Sequence, residues 1–308
     1  MEFEIQFNGP YNLTRSAWFI GQLPTDGADI WTPARETLPA EYRRLHNVEG
    51  RPVLIMARQE TGRDRGNSSV LVRTFPERPG NASILKEVIE WQFHADTPLE
   101  AFYRRARKHP VLASVVKSLY GVRPLRPPTL FEMAVVAVTE QQLSYVIAVQ
   151  MRSRLVQALG RKIAYEGKEY HAFPTPDALA RSTVEDLRKF AFSTRKSEYI
   201  IEMSRQVASG KLDIESLRNR RNEEVAEVLT ALRGFGRWSV EYFLGRGLGR
   251  HEVVAGGDLR VQTLVGKYLG PGHRVDEKET RRIMEEWGPY KRWVVFYLSL
   301  ASRVGLLL

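Results

Sequence analysis

Cysteine is absent from the chain. That removes disulfides, thiolate nucleophiles, iron–sulfur clusters and cysteine-ligated zinc in one step. Histidine is sparse too, and the six (His46, His94, His109, His171, His251, His273) are scattered, with no i,i+4 pair to grip an ion on one helix face. The expectation is a protein with no metal and no cofactor. Long apolar runs are also missing, and none approaches the roughly 18 residues that a membrane helix requires. The opening stretch MEFEIQFNGP carries acids where a secretory signal would carry bases. These absences point to an intracellular protein with no membrane partner.

What is present is basic charge, unevenly placed. Residues 1–100 hold 11 basic and 14 acidic side chains, a net of −3, whereas the other 208 hold 35 and 22, a net of +13. A surplus of that size attracts polyanions, and nucleic acid offers one charge per phosphate. Taken alone, the surplus fits an RNA binder or a solvated surface equally well.

Residues 1–95 read as α+β. Glu2 to Phe7 alternates as a half-buried strand should, and PYNLTRSAWFI starts a short helix near Asn12. RPVLIMARQ and SVLVRTF are strand-like on either side of the polar loop TGRDRGNS, and ILKEVIEWQF has helical spacing. From Thr97 onward every periodic segment is helical. Asp96 or Thr97 can cap a first helix with Pro98 early in it. GVRPLRPPT then serves as a connector before the helices spanning 129–139 and 144–159. The expected fold class is α+β: a small antiparallel-sheet domain (1–95) followed by an all-helical body (96–308).

One stretch, VLTALRGFGRWSVEYFLGRGLGRHEVVAGGDLRVQTLV, carries the chemistry. It reads as helix, tight turn, helix, loop and a further helix opening at Asp258. Gly234 and Gly236 in the turn permit backbone angles that a side chain opposes, and they leave amides uncovered before the next helix. Such a terminus can hold a phosphate, with Arg237 adding a charge-assisted contact. The bland alternative is a glycine turn between packed helices. Asp258 likewise suits a plain N-cap of LRVQTLVGKYLG. Placed after a glycine pair and 22 residues beyond Gly236, it could also aim its carboxylate across a cleft.

LRGFGRWS followed by GGD resembles the helix-hairpin-helix, glycine/proline-rich, aspartate (HhH-GPD) superfamily of DNA glycosylases, in its alkylation-repair branch typified by 3-methyladenine DNA glycosylase II. FEMAVVAVTEQQLSYVIAVQMRSRLVQALG, FPTPDALA, STRKSEYIIEMSRQVASGKLD and EEWGPYKRWVVFYLSLA resemble further motifs of that branch in the same order. The likeness runs from about Pro98 to the carboxyl terminus, and the leading segment resembles the branch's amino-terminal domain. It implies an enzyme that flips a damaged base out of duplex DNA and hydrolyses its glycosidic bond, with Asp258 as the catalytic carboxylate. Trp238 and Tyr242 would line the base pocket, with Trp18 or Phe19 opposite. Gly234, Phe235, Gly236 and Arg237 would grip DNA through the hairpin. Gln141, Gln142, Leu143 and Ser144 would meet it near the intercalating wedge, and Arg195 and Lys196 are candidate phosphate contacts or solvated charges.

Departures from the pattern are informative. Where bifunctional members carry a Schiff-base lysine after the hairpin, this chain has Trp238, so water must be the nucleophile and strand cleavage should not follow. The sequence shows no obvious second carboxylate, which suits a cationic methylated base that already leaves readily. A monomer is expected, because one hairpin serves one lesion. Competing readings are a glycosylase for uracil, hypoxanthine or oxidised guanine, and a non-catalytic DNA binder. The acid at Asp258 counts against the latter, since it would repel a polyanion.

Overall fold

The computed structural model describes residues 1–22, 25–34, 39–59, 68–77 and 79–307, with the side chains of 18–22 and 79 outside the description. Five strands, β1 (Glu2–Gln6), β2 (Asp29–Thr32), β3 (Glu41–Val48), β4 (Arg51–Arg58) and β5 (Ser69–Phe75), form one antiparallel sheet in the order β1-β5-β4-β3-β2. Helix α1 (Leu13–Gln22) and helix α2 (Ala82–Gln92) accompany it. Val53, Ile55 and Ala57 of β4 share a core with Leu85 and Ile89 of α2.

The alternate residues of β4, Leu54 and Met56, point to the other face, where they meet Tyr170 and Ala172. These belong to a small hairpin, β6 (Lys162–Tyr165) with β7 (Lys168–His171), which departs from the all-helical expectation for this region. Its turn residues Glu166 and Gly167 both have positive φ, 50° and 71°, the twist that suits a two-residue hairpin. Two covered faces explain why VLIMA in β4 is continuously apolar rather than alternating. A second departure is the stretch containing β2 and β3, which the sequence had not marked as strands.

The remaining chain is helical: α3 (Glu100–Ala106), α4 (Pro110–Ser118), α5 (Leu130–Glu140), α6 (Tyr145–Leu159), α7 (Pro176–Ala180), α8 (Val184–Lys189), α9 (Thr194–Ala208), α10 (Asn222–Thr230), α11 (Arg237–Tyr242), α12 (Leu259–Tyr268), α13 (Glu277–Glu285) and α14 (Lys291–Arg303). The start of α3 also differs from expectation: Leu99 is its N-cap, with no side-chain cap bond. Helix α5 is buried from Leu130 to Thr139, as a helix apolar all round should be. It centres one core that reaches to Leu248. A second core joins residues 99–122 to 254–301. The cleft described next is lined from both.

Candidate active site

The turn between α10 and α11 is shaped by Gly234, whose φ is +89°. A Cβ there would also lie 2.2 Å from the Tyr199 ring, so neither conformation nor space allows a side chain. Gly236 differs: its backbone is extended (φ −97°, ψ 179°) and a Cβ would meet open space. Among the described residues the amides of Gly234 and Gly236 form no hydrogen bond. Phe235 departs from the expected DNA-facing role, because its ring is buried in the helical core and its amide donates to the Leu232 carbonyl at 3.1 Å. Arg237 is exposed and already paired with Glu241 (3.1 Å) and Glu277 (3.2 Å).

Asp258 caps α12. Its Oδ1 accepts from the amides of Arg260 (2.8 Å) and Val261 (3.1 Å), which fixes the carboxylate at the positive end of the helix. Its Oδ2 accepts from Trp238 Nε1 at 3.0 Å. The cap and the aromatic wall are thus one assembly, joined across 20 residues of chain. Trp238 stacks on Tyr242 with centroids 5.0 Å apart and planes 14° off parallel. At that separation nothing fits between them, so the two rings form one wall. The side chains of Trp18 and Phe19, expected opposite, lie outside the described residues.

Behind this wall lies a network the sequence did not reveal. Tyr242 donates its hydroxyl proton to Glu140 Oε2 at 2.7 Å and accepts from Arg246 at 3.1 Å. Arg152 bridges Glu140 (3.1 Å) and Asp26 (3.4 Å). A second carboxylate therefore does line the cleft, contrary to the sequence reading, but its oxygens are already engaged. Burial pushes the Glu140 pKa up; Arg152, Arg246 and Tyr242 outweigh this and hold it below the ordinary value. Arg246 reaches Tyr242 from a π-helical turn, Phe243–Gly247, that extends α11. Such widened turns recur at functional sites.

Opposite the hairpin, the α5–α6 junction is held from beneath. Gln141 donates through Nε2 to the Gly234 carbonyl (2.7 Å) and to Ser239 Oγ (2.8 Å). Lys196 donates to the carbonyls of Thr139 (2.8 Å) and Gln141 (2.7 Å), so it braces the junction rather than facing a phosphate. Burial pushes its pKa down to about 8, and Glu140 opposes the shift. Ser144 caps α6 through the Ile147 amide. The braced turn lifts Gln142, at φ 54°, and the exposed Leu143 above the cleft. Val146 and Ile147 are exposed beside them, as is Leu259 after Asp258. Arg195 is exposed.

Together these residues enclose a cleft of about 1360 Å³, with an ionisable carboxylate, an aromatic wall and an apolar rim. Residues 135–290 match the HhH-GPD superfamily of base excision DNA repair proteins. A DNA-3-methyladenine glycosylase of Bacillus subtilis is 31% identical over 215 residues, 70% of this chain and 71% of that protein. Among solved structures, a 3-methyladenine DNA-glycosylase from Archaeoglobus fulgidus is similar over 98% of both chains, with TM-score 0.84 and 25% identity. The 3-methyladenine DNA glycosylase of Schizosaccharomyces pombe in complex with abasic DNA is similar over 64% of this chain and 94% of its own, with TM-score 0.54 and 26% identity.

Proposed function

The chain belongs to the HhH-GPD superfamily of base excision DNA repair proteins, and from that premise we propose that it is a monofunctional DNA glycosylase releasing alkylated bases of the 3-methyladenine type from duplex DNA. The observation that carries this reading is the Asp258 carboxylate, fixed by two helix amides and the Trp238 N–H at the mouth of the cleft. As the glycosidic bond breaks, positive charge develops on the sugar. A carboxylate already oriented needs no rearrangement to stabilise it, and it can take a proton from the attacking water. The Trp238–Tyr242 wall offers an electron-rich face to an alkylated base carrying positive charge.

Hydrolysis without strand cleavage agrees with the amines present. Lys196 is the one lysine among the cleft-lining residues, and its ammonium is engaged with two carbonyls. The free amides of Gly234 and Gly236 suit backbone phosphate contacts, and exposed Arg195 suits another. The division at 95/96 belongs to the same reading: a sheet domain supplies α1 to one wall and the helical body supplies the chemistry. The test is base release from duplex DNA carrying one 3-methyladenine. Free base with no strand break before alkali is expected. Strand cleavage coupled to release would overturn the monofunctional assignment, and no release from alkylated duplex would overturn the activity.

Two further outcomes follow from the geometry. Trp238→Phe keeps an aromatic ring against Tyr242 and removes the N–H donated to Asp258 together with part of the indole face. Single-turnover release should fall about tenfold, the worth of one charge-assisted hydrogen bond, and an unchanged rate would mean that the bond does not position the carboxylate. Leu143 suits a wedge that fills the gap left by the flipped nucleotide. Leu143→Ala should slow release about tenfold from a paired lesion and less from a mismatched one, whose extrusion costs less. Equal slowing on both substrates would argue against the wedge.

A further inference from the structure

A cluster of cations that the chemistry above does not use lies where the sheet domain meets the helical body. Trp91, near the end of α2, carries two guanidinium groups on its ring: the Arg126 Cζ lies 4.3 Å from the centroid and the Arg218 Cζ 4.4 Å. Arg250 joins them, its Nη2 donating to the carbonyls of Arg218 (3.1 Å) and Arg220 (2.9 Å). Gly249 permits this packing, since at φ +67° a Cβ there would lie 1.9 Å from Arg126 Nη2. The cluster is remote from the lesion site. Arg126 precedes α5, whose 11 residues span about 16 Å before Gln141 is reached. Trp91, Arg126, Arg218 and Arg250 are not among the residues lining the cleft.

The gathered charge is under-compensated. Arg126 is 5% exposed, and its guanidinium makes one long hydrogen bond, 3.4 Å to the Trp91 carbonyl. Arg218 is paired with Glu215 at 3.0 Å, but among the described residues neither Arg126 nor Arg250 bonds a carboxylate. The Nε of each of the three arginines is buried without an acceptor. Burial pushes the Arg126 pKa down to about 10; Asp96 opposes the shift, and Arg218 and Arg250 add to it. One indole ring shared by two cations offsets only part of this cost. A buried charge is costly unless an opposite one meets it.

We propose that Arg126, Arg218 and Arg250 form a second anion site, distinct from the lesion cleft, that takes a free compact phosphate. Guanidinium forks match phosphate oxygens. Arg218 and Arg250 are half-buried, so they can be approached from solvent, and the buried Arg126 strengthens the field behind them. Glu215 and the exposed Asp96 beside the cluster disfavour a polyanion laid across it, whereas a small anion can enter between the arginines. Bound there, a phosphate would neutralise the excess charge. It would also tie Trp91 of the sheet domain to three segments of the helical body, and so stabilise the seam between them.

Thermal unfolding tests the site, because a ligand that binds only the folded chain raises its midpoint. Low-millimolar inorganic phosphate, compared with chloride at matched ionic strength, should raise the wild-type midpoint by about 3 °C. Arg250→Gln should abolish that rise. Arg218→Gln should do the same, and it serves where the first variant folds poorly. Each variant is compared with itself, so a lower starting midpoint does not affect the reading. The rise should persist when undamaged duplex saturates the lesion cleft. No rise in wild type would overturn the site. An equal rise in wild type and both variants would also overturn it, as general exclusion of phosphate from protein surface. Loss of the rise on duplex binding would overturn it too, by placing the anion among the DNA contacts of the cleft. None of these outcomes touches base release, so the glycosylase reading stands or falls separately.

Discussion

Asp258→Asn is expected to lower single-turnover base release by about 10³-fold, within the range for loss of a general base or of one preorganised electrostatic group. The substitution is nearly neutral for the fold. Asparagine caps helices as well as aspartate does, and its Oδ1 can still accept from the amides of Arg260 and Val261. On the other side, an amide group replaces the oxygen that accepts from Trp238 Nε1, so two donors face each other. The negative charge that would shield the developing sugar cation is gone, and so is the site that would take the proton from water. Duplex affinity should be unchanged or tighter, because an acid facing a polyanion is removed. The measurement is release from alkylated duplex alongside binding to the same duplex. Wild-type release by the asparagine variant would remove Asp258 from the chemistry. Loss of release together with loss of binding would make it a structural cap.

How much of this was legible in the sequence depended on whether each feature is local. The hairpin was, because LRGFG needs a positive φ at Gly234 that glycine alone adopts readily. The cap at Asp258 was, because aspartate before an amphipathic run is a one-turn signal. Strand β4 was, because a short run rich in Val and Ile, bounded by a polar loop, is a strand signal. Strand β3 was not. Its charged residues suggest exposure, yet Glu41 and Arg44 are buried, and Arg44 holds Glu132 of α5 through both carboxylate oxygens (2.7 and 2.6 Å). Charge that is paired across elements looks like surface until the partner is known. The hairpin β6–β7 was missed because KIAYEGKEYH is short and polar, and its apolar face exists only against β3 and β4. The cleft network failed for the same reason in stronger form. Glu140, Arg152, Arg246 and Arg292 come from four separate helical segments. No spacing rule joins them, and only the folded cleft brings them together. Phe235 shows the opposite error, since a motif residue between the hairpin's two glycines turned inward to the core.

Arg123→Met is expected to destabilise the protein by about 3–5 kcal/mol, the cost of leaving several buried acceptors unpaired. Arg123 is fully buried in the proline-rich connector between α4 and α5. Its guanidinium donates to the carbonyls of Asn8 (2.9 Å), Pro10 (3.1 Å) and Thr97 (2.9 Å), and also to that of His94. Among the described residues no carboxylate hydrogen-bonds it. The charge faces the Phe7 ring at 5.5 Å, and the Arg123 amide donates to Ser16 Oγ of α1 at 3.0 Å. Methionine preserves the stem and deletes every donor, so four carbonyls drawn from both ends of the sheet domain lose their partner at once. Lysine fares little better, because a point charge cannot reproduce a fork that reaches all of them. The loss falls on the seam and not on either helical core, each of which holds its own buried residues. Thermal unfolding should therefore split, with the sheet domain and α1 melting earlier and the helical body near its original midpoint. A single transition shifted as a whole would mean that the seam and the body unfold as one unit. An unshifted curve would mean that the four carbonyls find water when the guanidinium is gone. In the split case base release should fall on warming before the helical signal does, because Ser16 and Arg123 line the same cleft as Asp258.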